Sequence, residues 1–271
     1  MLFVCPKCKN KFTITPDNRA VCTNGHSFDR AKEGYYNLLL KSTGGNHGDN
    51  REMVMARRAF LDTGAYQPLL NKLCERVKEH ISDGGRILDG GCGEGYYTDF
   101  IERSLTAGAV SASVSGFDIS RDAIRYAAKK NQGISLAVAS SYDIPVADGS
   151  VDVFLNVFSP LALSETARVI RRGGKFIMAI PDENHLFGLK SVLYENPYKN
   201  TVQGSELSGF TLISEDKVRY TLTLDTKEKI QALFMMTPYA YRTPPRAREK
   251  LMALDTLSTE IEFIVFTYER N

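Results

Sequence analysis

A glycine-rich turn behind an aspartate is the stretch of this sequence that most clearly indicates chemistry. A short apolar run ends in Asp89, and Gly91, Gly93 and Gly95 follow at alternate positions before an apolar helical pattern begins. Glycine allows positive φ and lets a ligand approach the backbone closely. The N-terminus of the following helix presents unpaired N–H groups. We therefore predict a strand, a turn and a helix that bind a ligand against main chain.

Two cofactors compete for this turn. The dinucleotide fingerprint is Gly-x-Gly-x-x-Gly with pyrophosphate at the helix N-terminus. Here Tyr96 stands where that fingerprint has its last glycine, and the carboxylate of Asp89 would repel a pyrophosphate. The same carboxylate would attract the α-ammonium of S-adenosylmethionine, and the stretch resembles the first motif of class I methyltransferases. We therefore expect S-adenosylmethionine here, with Glu94 also among its contacts.

A second acidic residue supports that cofactor. The apolar segment that begins at Val114 ends in Asp118, 23 residues after Gly95. An acidic residue at the end of the second strand can accept hydrogen bonds from both ribose hydroxyls. Many methyltransferases also have an acidic residue after the third strand for the adenine amino group, but this sequence has Ser140 and Ser141 there. We therefore expect these two positions to contact adenine largely through main chain.

Cysteine and histidine residues near the start of the chain have the spacing of a metal site. Cys5 and Cys8 form a Cys-x2-Cys pair, and after thirteen intervening residues Cys22 and His26 form a Cys-x3-His pair. Zinc prefers four tetrahedral thiolate or imidazole ligands, and a complete set leaves no open position. So short a segment needs such a metal to fold. We predict structural zinc; a redox Cys-x-x-Cys pair, the alternative, would leave Cys22 and His26 without a role.

Composition limits the class of protein. The chain has 271 residues, of which 43% are hydrophobic, so one α/β core plus an appendage is expected. No apolar run approaches the roughly 20 residues of a membrane helix, and the first residues do not resemble a signal peptide. Five cysteines, three of them in metal-type spacing, agree with a reducing compartment. We expect a cytoplasmic protein without a membrane contact.

Charge is unevenly distributed along the chain. The net charge is only +2, but the first 41 residues carry seven basic and three acidic side chains. This segment is the better candidate for contact with a polyanion. A solvated basic surface is the other interpretation, and the charge count alone does not separate the two.

Alternating strand and helix patterns predict an α/β fold with a doubly wound, mostly parallel, Rossmann-like sheet. Three regions are expected: a zinc module over 1–40, a linker with two helices over 41–83, and a methyltransferase domain over 84–271. Gly44 to Asp49 form a glycine-rich polar linker, and the two helices cover Arg51 to Leu61 and Tyr66 to Ile81. The strands and helices expected in the domain are Val114 to Asp118, Arg121 to Asn131, Ile134 to Ala139, Val153 to Val157, Phe176 to Ile180, Val218 to Leu224, Thr226 to Met236 and Glu260 to Tyr268.

Several motifs together resemble a known family. Besides the metal knuckles and the glycine turn, these are Ala31-Lys-Glu-Gly-Tyr35, Ala56-Arg-Arg-x-Phe-Leu-Asp62, Gly64-x-Tyr66-Gln-Pro-Leu69 and Met236-Thr-Pro-Tyr-Ala-Tyr-Arg242. They resemble the bacterial 23S ribosomal RNA guanine-N1 methyltransferases over nearly the whole chain. Two positions depart from the family pattern: Gly90 replaces an aliphatic residue, and Tyr241 replaces a tryptophan.

The resemblance implies an activity and partners. It implies methyl transfer from S-adenosylmethionine to N1 of a guanine in a hairpin of large-subunit ribosomal RNA. It also implies that the zinc module recognises RNA, that the protein is a homodimer, and that Tyr66 and His185 line the cofactor pocket. Two other classes stay open: a small-molecule methyltransferase with the same core, and a non-catalytic RNA-binding factor that holds the cofactor.

The reaction needs a place for one proton. Guanine N1 is protonated at neutral pH, so a carboxylate, a histidine or a water must accept that proton. We name His185 as the candidate base, with Asp182 and Glu183 as rivals. The positions after the fourth strand, Asn156, Phe158 and Ser159, are expected to line the site. A guanine removed from its stack would need an aromatic surface. The tyrosines considered for this surface are Tyr35, Tyr239 and Tyr241.

Overall fold

A computed structural model of the chain describes residues 1–40, 48–202 and 206–271. In these residues the strands form two sheets. The smaller sheet is antiparallel and lies within the segment that holds the four predicted metal ligands. Its three strands are β1 (Phe12–Ile14), β2 (Ala20–Cys22) and β3 (Ser27–Phe28).

The larger sheet has eight strands in the order β10-β11-β9-β8-β5-β6-β7-β4. The strands β4 to β9 run parallel to one another, whereas β11 is antiparallel to both β9 and β10. This mixed, mostly parallel sheet confirms the predicted fold class. The strands are β4 (Tyr36–Asn37), β5 (Arg86–Gly90), β6 (Ser113–Asp118), β7 (Ser135–Val138), β8 (Val151–Val157), β9 (Ile170–Pro181), β10 (Phe210–Leu224) and β11 (Leu257–Arg270).

Helices pack against this sheet, and three of them begin at a side chain that accepts a backbone hydrogen bond. Asn50, Ser120 and Thr226 accept from the N–H groups of the third residue after them, as helix-capping residues do. The helices are α1 (Arg51–Leu61), α2 (Gln67–His80), α3 (Tyr96–Ala107), α4 (Arg121–Lys130), α5 (Leu163–Val169), α6 (Phe187–Leu193), α7 (Lys227–Met235) and α8 (Pro245–Met252), with a 3-10 turn at Pro238–Tyr241.

Both faces of the sheet are buried in its centre. Ile87 and Leu155 belong to one apolar cluster, and their neighbours Leu88 and Phe154 belong to the other. Strands covered on both faces have no clean alternation of polar and apolar residues, which is why the sequence of β11 lacks one. Among the described residues, no helix is long and apolar enough to cross a membrane.

The N-terminal segment is joined to the larger sheet by hydrogen bonds. Its last strand, β4, lies parallel to β7, with Tyr36 opposite Ala137, and the N–H of Leu38 donates to the carbonyl of Val138 at 2.9 Å. The N–H of Val4 also donates to the carbonyl of Pro145 at 2.8 Å. The segment therefore supplies an edge strand of the main sheet. Part of the predicted linker, residues 44–47, lies outside the described residues.

The strand expected over Phe176 to Ile180 is longer in the structure. It begins at Ile170 as β9 and includes Gly173 and Gly174. Gly173 has a φ of +72°, and the pairing register with β8 shifts between Val151 and Val153. Between these positions β8 advances by two residues and β9 by five, from Ile170 to Lys175, so β9 has three extra residues. Extra residues in one strand produce a bulge, and both glycines lie in it.

Candidate active site and metal centre

Four side chains near the N-terminus converge as a metal site. The ligand atoms of Cys5, Cys8, Cys22 and His26 all lie within 4.8 Å of one another. Cys8 Sγ and Cys22 Sγ are 3.6 Å apart, and His26 Nδ1 is 3.5 Å from the Sγ atoms of Cys5 and Cys22. A tetrahedral zinc with ordinary bond lengths requires edges of roughly 3.6 to 3.8 Å. The donor set and its spacing therefore fit zinc.

Short turns bring these ligands together. The N–H of Lys9 donates to the carbonyl of Cys5 at 2.7 Å, and the N–H of Gly25 donates to the carbonyl of Cys22 at 2.9 Å. Gly25 has a φ of +76°, a conformation that glycine adopts without steric cost. Strand β2 also ends at Cys22, so pairing within the small sheet positions one ligand directly.

The predicted glycine turn connects β5 to α3. Gly91, Gly93 and Gly95 have φ values of +79°, +56° and +80°. A Cβ at Gly91 would lie 2.1 Å from Ser159 Oγ, whereas at Gly93 the nearest atom would be Arg57 Nη1 at 3.7 Å. Gly91 is therefore needed for packing, while Gly93 leaves the turn open on the side where a ligand can approach.

Gly90, one of the two departures from the family pattern, is explained by its neighbours. A Cβ at this position would lie 2.5 Å from Phe154 Cζ and 3.2 Å from Phe117 Cζ. The two phenylalanine rings occupy the space that an aliphatic side chain would need. Close packing before the turn is therefore maintained by side chains of the two adjacent strands, β8 and β6.

Asp89 is a buried carboxylate with one oxygen unused. The hydroxyl of Thr98 donates to Asp89 Oδ2 at 2.6 Å, but Asp89 Oδ1 has no hydrogen-bond partner among the described residues. Burial raises the pKa of Asp89 to about 7; the hydroxyl of Thr98 lowers it and the charge of Asp118 raises it further. A buried polar atom without a partner is costly, so this oxygen is suited to a cationic ligand group.

Asp118 closes the other side of the turn. Its Oδ2 accepts from the N–H of Gly93 at 2.9 Å, and its Oδ1 accepts from the N–H of Ser120 at 2.7 Å. Burial raises the pKa of this carboxyl, although the two N–H groups counteract the effect. Each carboxylate oxygen has a second lone pair, and Asp118 can therefore hold the turn and still accept from a ligand hydroxyl.

Glu94 and the serine pair occupy less defined positions. Glu94 is buried, neither of its carboxylate oxygens has a partner in the described part of the chain, and burial raises its pKa. Ser140 follows β7, and its hydroxyl accepts from the N–H of Tyr142 at 3.2 Å. The N–H of Ala139 donates to the carbonyl of Asp118 at 3.0 Å, which places Ser140 and Ser141 beside the ribose candidate.

Tyr66 and His185 lie together in an aromatic group. The Tyr66 ring centroid is 6.2 Å from that of His185 and 4.9 Å from that of Phe263, and both Tyr66 and His185 are buried. The N–H of Glu262 donates to His185 Nδ1 at 3.3 Å. Burial, with a smaller effect of Lys190, lowers the pKa of His185 to about 3. His185 is therefore neutral, with its proton on Nε2.

Asp182 and Asn156 are both held by neighbouring groups. Asp182 Oδ2 accepts from Arg219 Nη2 at 2.6 Å, and Asp182 Oδ1 accepts from the N–H of Glu183 at 2.8 Å. Burial raises the pKa of Asp182, but these hydrogen bonds outweigh it and hold the pKa below its ordinary value. Asn156 is buried near the end of β8, and its amide donates to the carbonyl of Pro160 at 3.5 Å.

The structure adds one residue to the site and removes another. Arg57 of α1 lies over Gly93 and forms an ion pair with Asp49. Tyr35, a candidate for base stacking, is only 3% exposed, and its hydroxyl accepts from Arg121 Nε at 3.3 Å. It therefore has no free face, whereas Tyr241 is 56% exposed.

Comparison with known proteins places both regions in families. Residues 3–40 match the zinc-ribbon family model described as "RlmA, N-terminal". Residues 81–234 match the family model described as "Methyltransferase domain", which is more than half of the chain. The chain thus contains a zinc ribbon and an S-adenosylmethionine-dependent methyltransferase domain, and both predicted cofactors are confirmed.

Three relatives match over most of their length. The chain is 31% identical over 248 residues to the "23S rRNA (guanine(748)-N(1))-methyltransferase" of Streptomyces fradiae, covering 89% of this chain and 86% of the relative. It is 31% identical over 252 residues to "Putative 23S rRNA (guanine-N(1)-)-methyltransferase YxjB" of Bacillus subtilis (strain 168), covering 90% and 88%. A Micromonospora griseorubida relative with a similar name is 30% identical, with 89% and 87% covered. The chain therefore belongs to the family of 23S rRNA guanine-N1 methyltransferases.

Proposed function

We propose that this protein transfers a methyl group from S-adenosylmethionine to N1 of a guanine in a hairpin of 23S ribosomal RNA. The observation that carries the proposal is the open glycine turn, with the unpartnered Oδ1 of Asp89 behind it and the zinc ribbon joined to the same sheet. Ribosomal RNA is the substrate in the names of the three relatives. An enzyme for ribosomal RNA is expected in the cytoplasm, where ribosomes are assembled.

The residues around the turn divide the cofactor between them. We assign the α-ammonium to Asp89 and the ribose hydroxyls to Asp118, because both carboxylates retain unused acceptor capacity. Gly93 allows close approach, and Gly91 and Gly95 shape the turn. We assign the adenine to the segment of Ser140 and Ser141, and Tyr66, Glu94 and His185 to the walls of the site.

When bound, S-adenosylmethionine supplies an electrophilic methyl group on a positively charged sulfur. The task of the protein is then to hold guanine N1 in line with the carbon–sulfur bond, since alignment of this kind is worth up to about 7 to 11 kcal/mol in favourable cases. The new bond joins N1 to the methyl carbon, the carbon–sulfur electron pair returns to sulfur, and the N1 proton must leave.

The three proposed catalytic residues have states that favour positioning over proton uptake. His185 carries its proton on Nε2 and already accepts at Nδ1, and Asp182 is ion-paired with Arg219. Asn156 has no basic group, but it holds the turn that follows β8. We therefore propose that water accepts the N1 proton and that His185 can donate a hydrogen bond from Nε2 to the bound molecules.

The proposed activity can be tested with isotope-labelled S-adenosylmethionine and three substrates: 23S ribosomal RNA from cells that lack this gene, 16S ribosomal RNA, and a metabolite extract. We expect label in 23S RNA only, at a guanine that stops reverse transcription because its Watson–Crick edge is blocked. The hairpin that contains guanine 748, for which the Streptomyces relative is named, should be examined first. Label in small molecules, or none at all, would contradict the proposal.

The oligomeric state needs its own measurement. We propose a homodimer on the basis of the family resemblance, since a dimer would present two zinc ribbons to one RNA. Sedimentation equilibrium at micromolar concentration should give twice the mass of the 30.2 kDa chain. A monomer that retains full activity would contradict this part of the proposal.

A further inference from the structure

Phe158 has a backbone conformation that is unfavourable for an aromatic residue. It follows β8 directly and has a φ of +57°, in the left-handed region. A bulky side chain there costs of order 1 to 3 kcal/mol and persists only where the surroundings enforce it. The N–H of Phe158 donates to the carbonyl of Ala179 on the neighbouring strand at 3.1 Å. The fold therefore fixes this conformation.

The ring of Phe158 is not used to fill the core. It is 40% exposed, although its inner edge packs against Phe263, with ring centroids 5.1 Å apart and planes inclined by 43°. Phe263 in turn packs against His185 at 4.6 Å, and the Tyr97 ring lies 6.4 Å from Phe158. Phe158 is thus the exposed end of a row of rings whose other members are more buried.

This exposed ring borders the proposed methyl-donor pocket. The next residue, Ser159, has its side chain against Gly91 of the cofactor turn. Tyr97, which contacts the ring, belongs to the first turn of α3, directly after the same glycines. A planar molecule lying on Phe158 would therefore be adjacent to the turn that holds the cofactor.

We propose that Phe158 is the surface on which the target guanine stacks, so that its N1 edge faces the methyl donor. This inference rests on the proposed function, because it needs a purine removed from its RNA stack. Stacking on an aromatic side chain contributes strongly to binding of unstacked bases. With its left-handed backbone, Phe158 leaves 40% of its surface exposed for such a contact.

The sequence offers a direct spectroscopic test, because the chain contains no tryptophan. Phe158→Trp would introduce a single tryptophan, which can be excited selectively over the tyrosines, and its emission should be quenched when a guanine stacks on it. The probes are an unmodified RNA hairpin that is a substrate and the same hairpin with an abasic site at the target position. We expect quenching by the first and little by the second. Equal changes with both would overturn the proposal.

A matched control tryptophan belongs far from the site. Leu212 is 39% exposed, and its pairing with Tyr268 places it toward the start of β9, away from the end that carries the site. Leu212→Trp should retain activity, and its emission should not distinguish the two hairpins. If it distinguishes them as Phe158→Trp does, the quenching does not report stacking at Phe158 and the proposal fails.

Kinetics separate stacking from general damage. Phe158→Leu should lower kcat/KM for RNA by about 10- to 100-fold, while the Kd for S-adenosylmethionine changes by less than about twofold. Phe158→Tyr should restore most of the activity. If the wild-type protein methylates RNA and Phe158→Leu does so equally well, stacking on Phe158 is refuted but the proposed function is not. If the wild-type protein does not methylate RNA, the proposed function itself is refuted.

Discussion

The pH dependence of cofactor binding tests the role of Asp89. Its carboxylate is 1% exposed, and burial raises its pKa to about 7 in the free protein. Because only the ionised carboxylate attracts an ammonium, a bound α-ammonium should shift this pKa downward. With a pKa near 7, about one-tenth of the protein is ionised at pH 6 and about one-hundredth at pH 5. The Kd for S-adenosylmethionine should therefore rise about tenfold at pH 6 and a hundredfold at pH 5, relative to the fully ionised protein.

Isothermal titration calorimetry measures both consequences of this proton. At pH 6 nearly one proton per cofactor should be released, which is detected as a dependence of the heat on the ionisation enthalpy of the buffer. Thr98→Val is the matched variant, because the hydroxyl of Thr98 donates to Asp89 at 2.6 Å and lowers its pKa. This variant should move the pH midpoint upward, and Asp89→Asn should abolish the dependence on this group.

The same pKa affects stability with a definite sign. The pKa of folded Asp89 lies above its ordinary value, so the unfolded chain loses this proton first as the pH rises. Folding stability from this group therefore falls between about pH 4 and 7 and is constant above. Asp89→Asn should become progressively more stable than wild type over that range, by at most about 4 kcal/mol.

Comparison with Asp89→Asn is needed because Asp118 and Glu94 also have raised pKa values and titrate nearby. A Kd that does not change between pH 5 and 7 in the wild type would refute our assignment of the ammonium to Asp89. The assignment would also be refuted if the Kd of Asp89→Asn changed with pH as steeply as that of the wild type, since another group would then account for the released proton.

Three further predictions concern the turn and the metal. Asp118→Asn replaces one carboxylate oxygen by an NH₂ group and removes the charge, so that the N–H of either Gly93 or Ser120 would face another donor. Calorimetry should show that the Kd for the cofactor rises by about 30-fold or more. An unchanged Kd would exclude the ribose role. Cys22→Ser should lower the zinc content measured by atomic absorption and lower Tm, because a buried ligand is lost; full zinc content would contradict the site. Gly91→Ala should destabilise the protein, because its Cβ would lie 2.1 Å from Ser159 Oγ at a φ of +79°, and thermal unfolding should show Ser159→Gly partly restoring it.

Local sequence signals predicted the elements that carry the cofactor site. The apolar run before Asp89, the alternate glycines and the capping residue Ser120 each act within a few residues. The metal ligands were equally predictable, because zinc requires particular residue types at short spacings. Such features depend little on the remainder of the fold.

Features set by distant parts of the chain were not predictable in the same way. The ion pair of Arg57 with Asp49 above Gly93 depends on how α1 docks on the turn. The left-handed backbone of Phe158 depends on its hydrogen bond to Ala179 in the next strand. Helix α6 has no side-chain cap and starts after Leu186 in a left-handed conformation, so its beginning carries no clear signal in the sequence.

The edge strand β4 makes the metal module a structural neighbour of the cofactor site. Tyr36 pairs with Ala137 on β7, and two residues later the N–H of Ala139 donates to the carbonyl of Asp118. Any chimera that exchanges the ribbon between relatives must therefore carry this strand and its partner together, or it will leave an unpaired sheet edge open to aggregation. Because β4 continues from the zinc-ligating segment, we expect removal of the metal to loosen the packing beside Asp118 and to weaken cofactor binding.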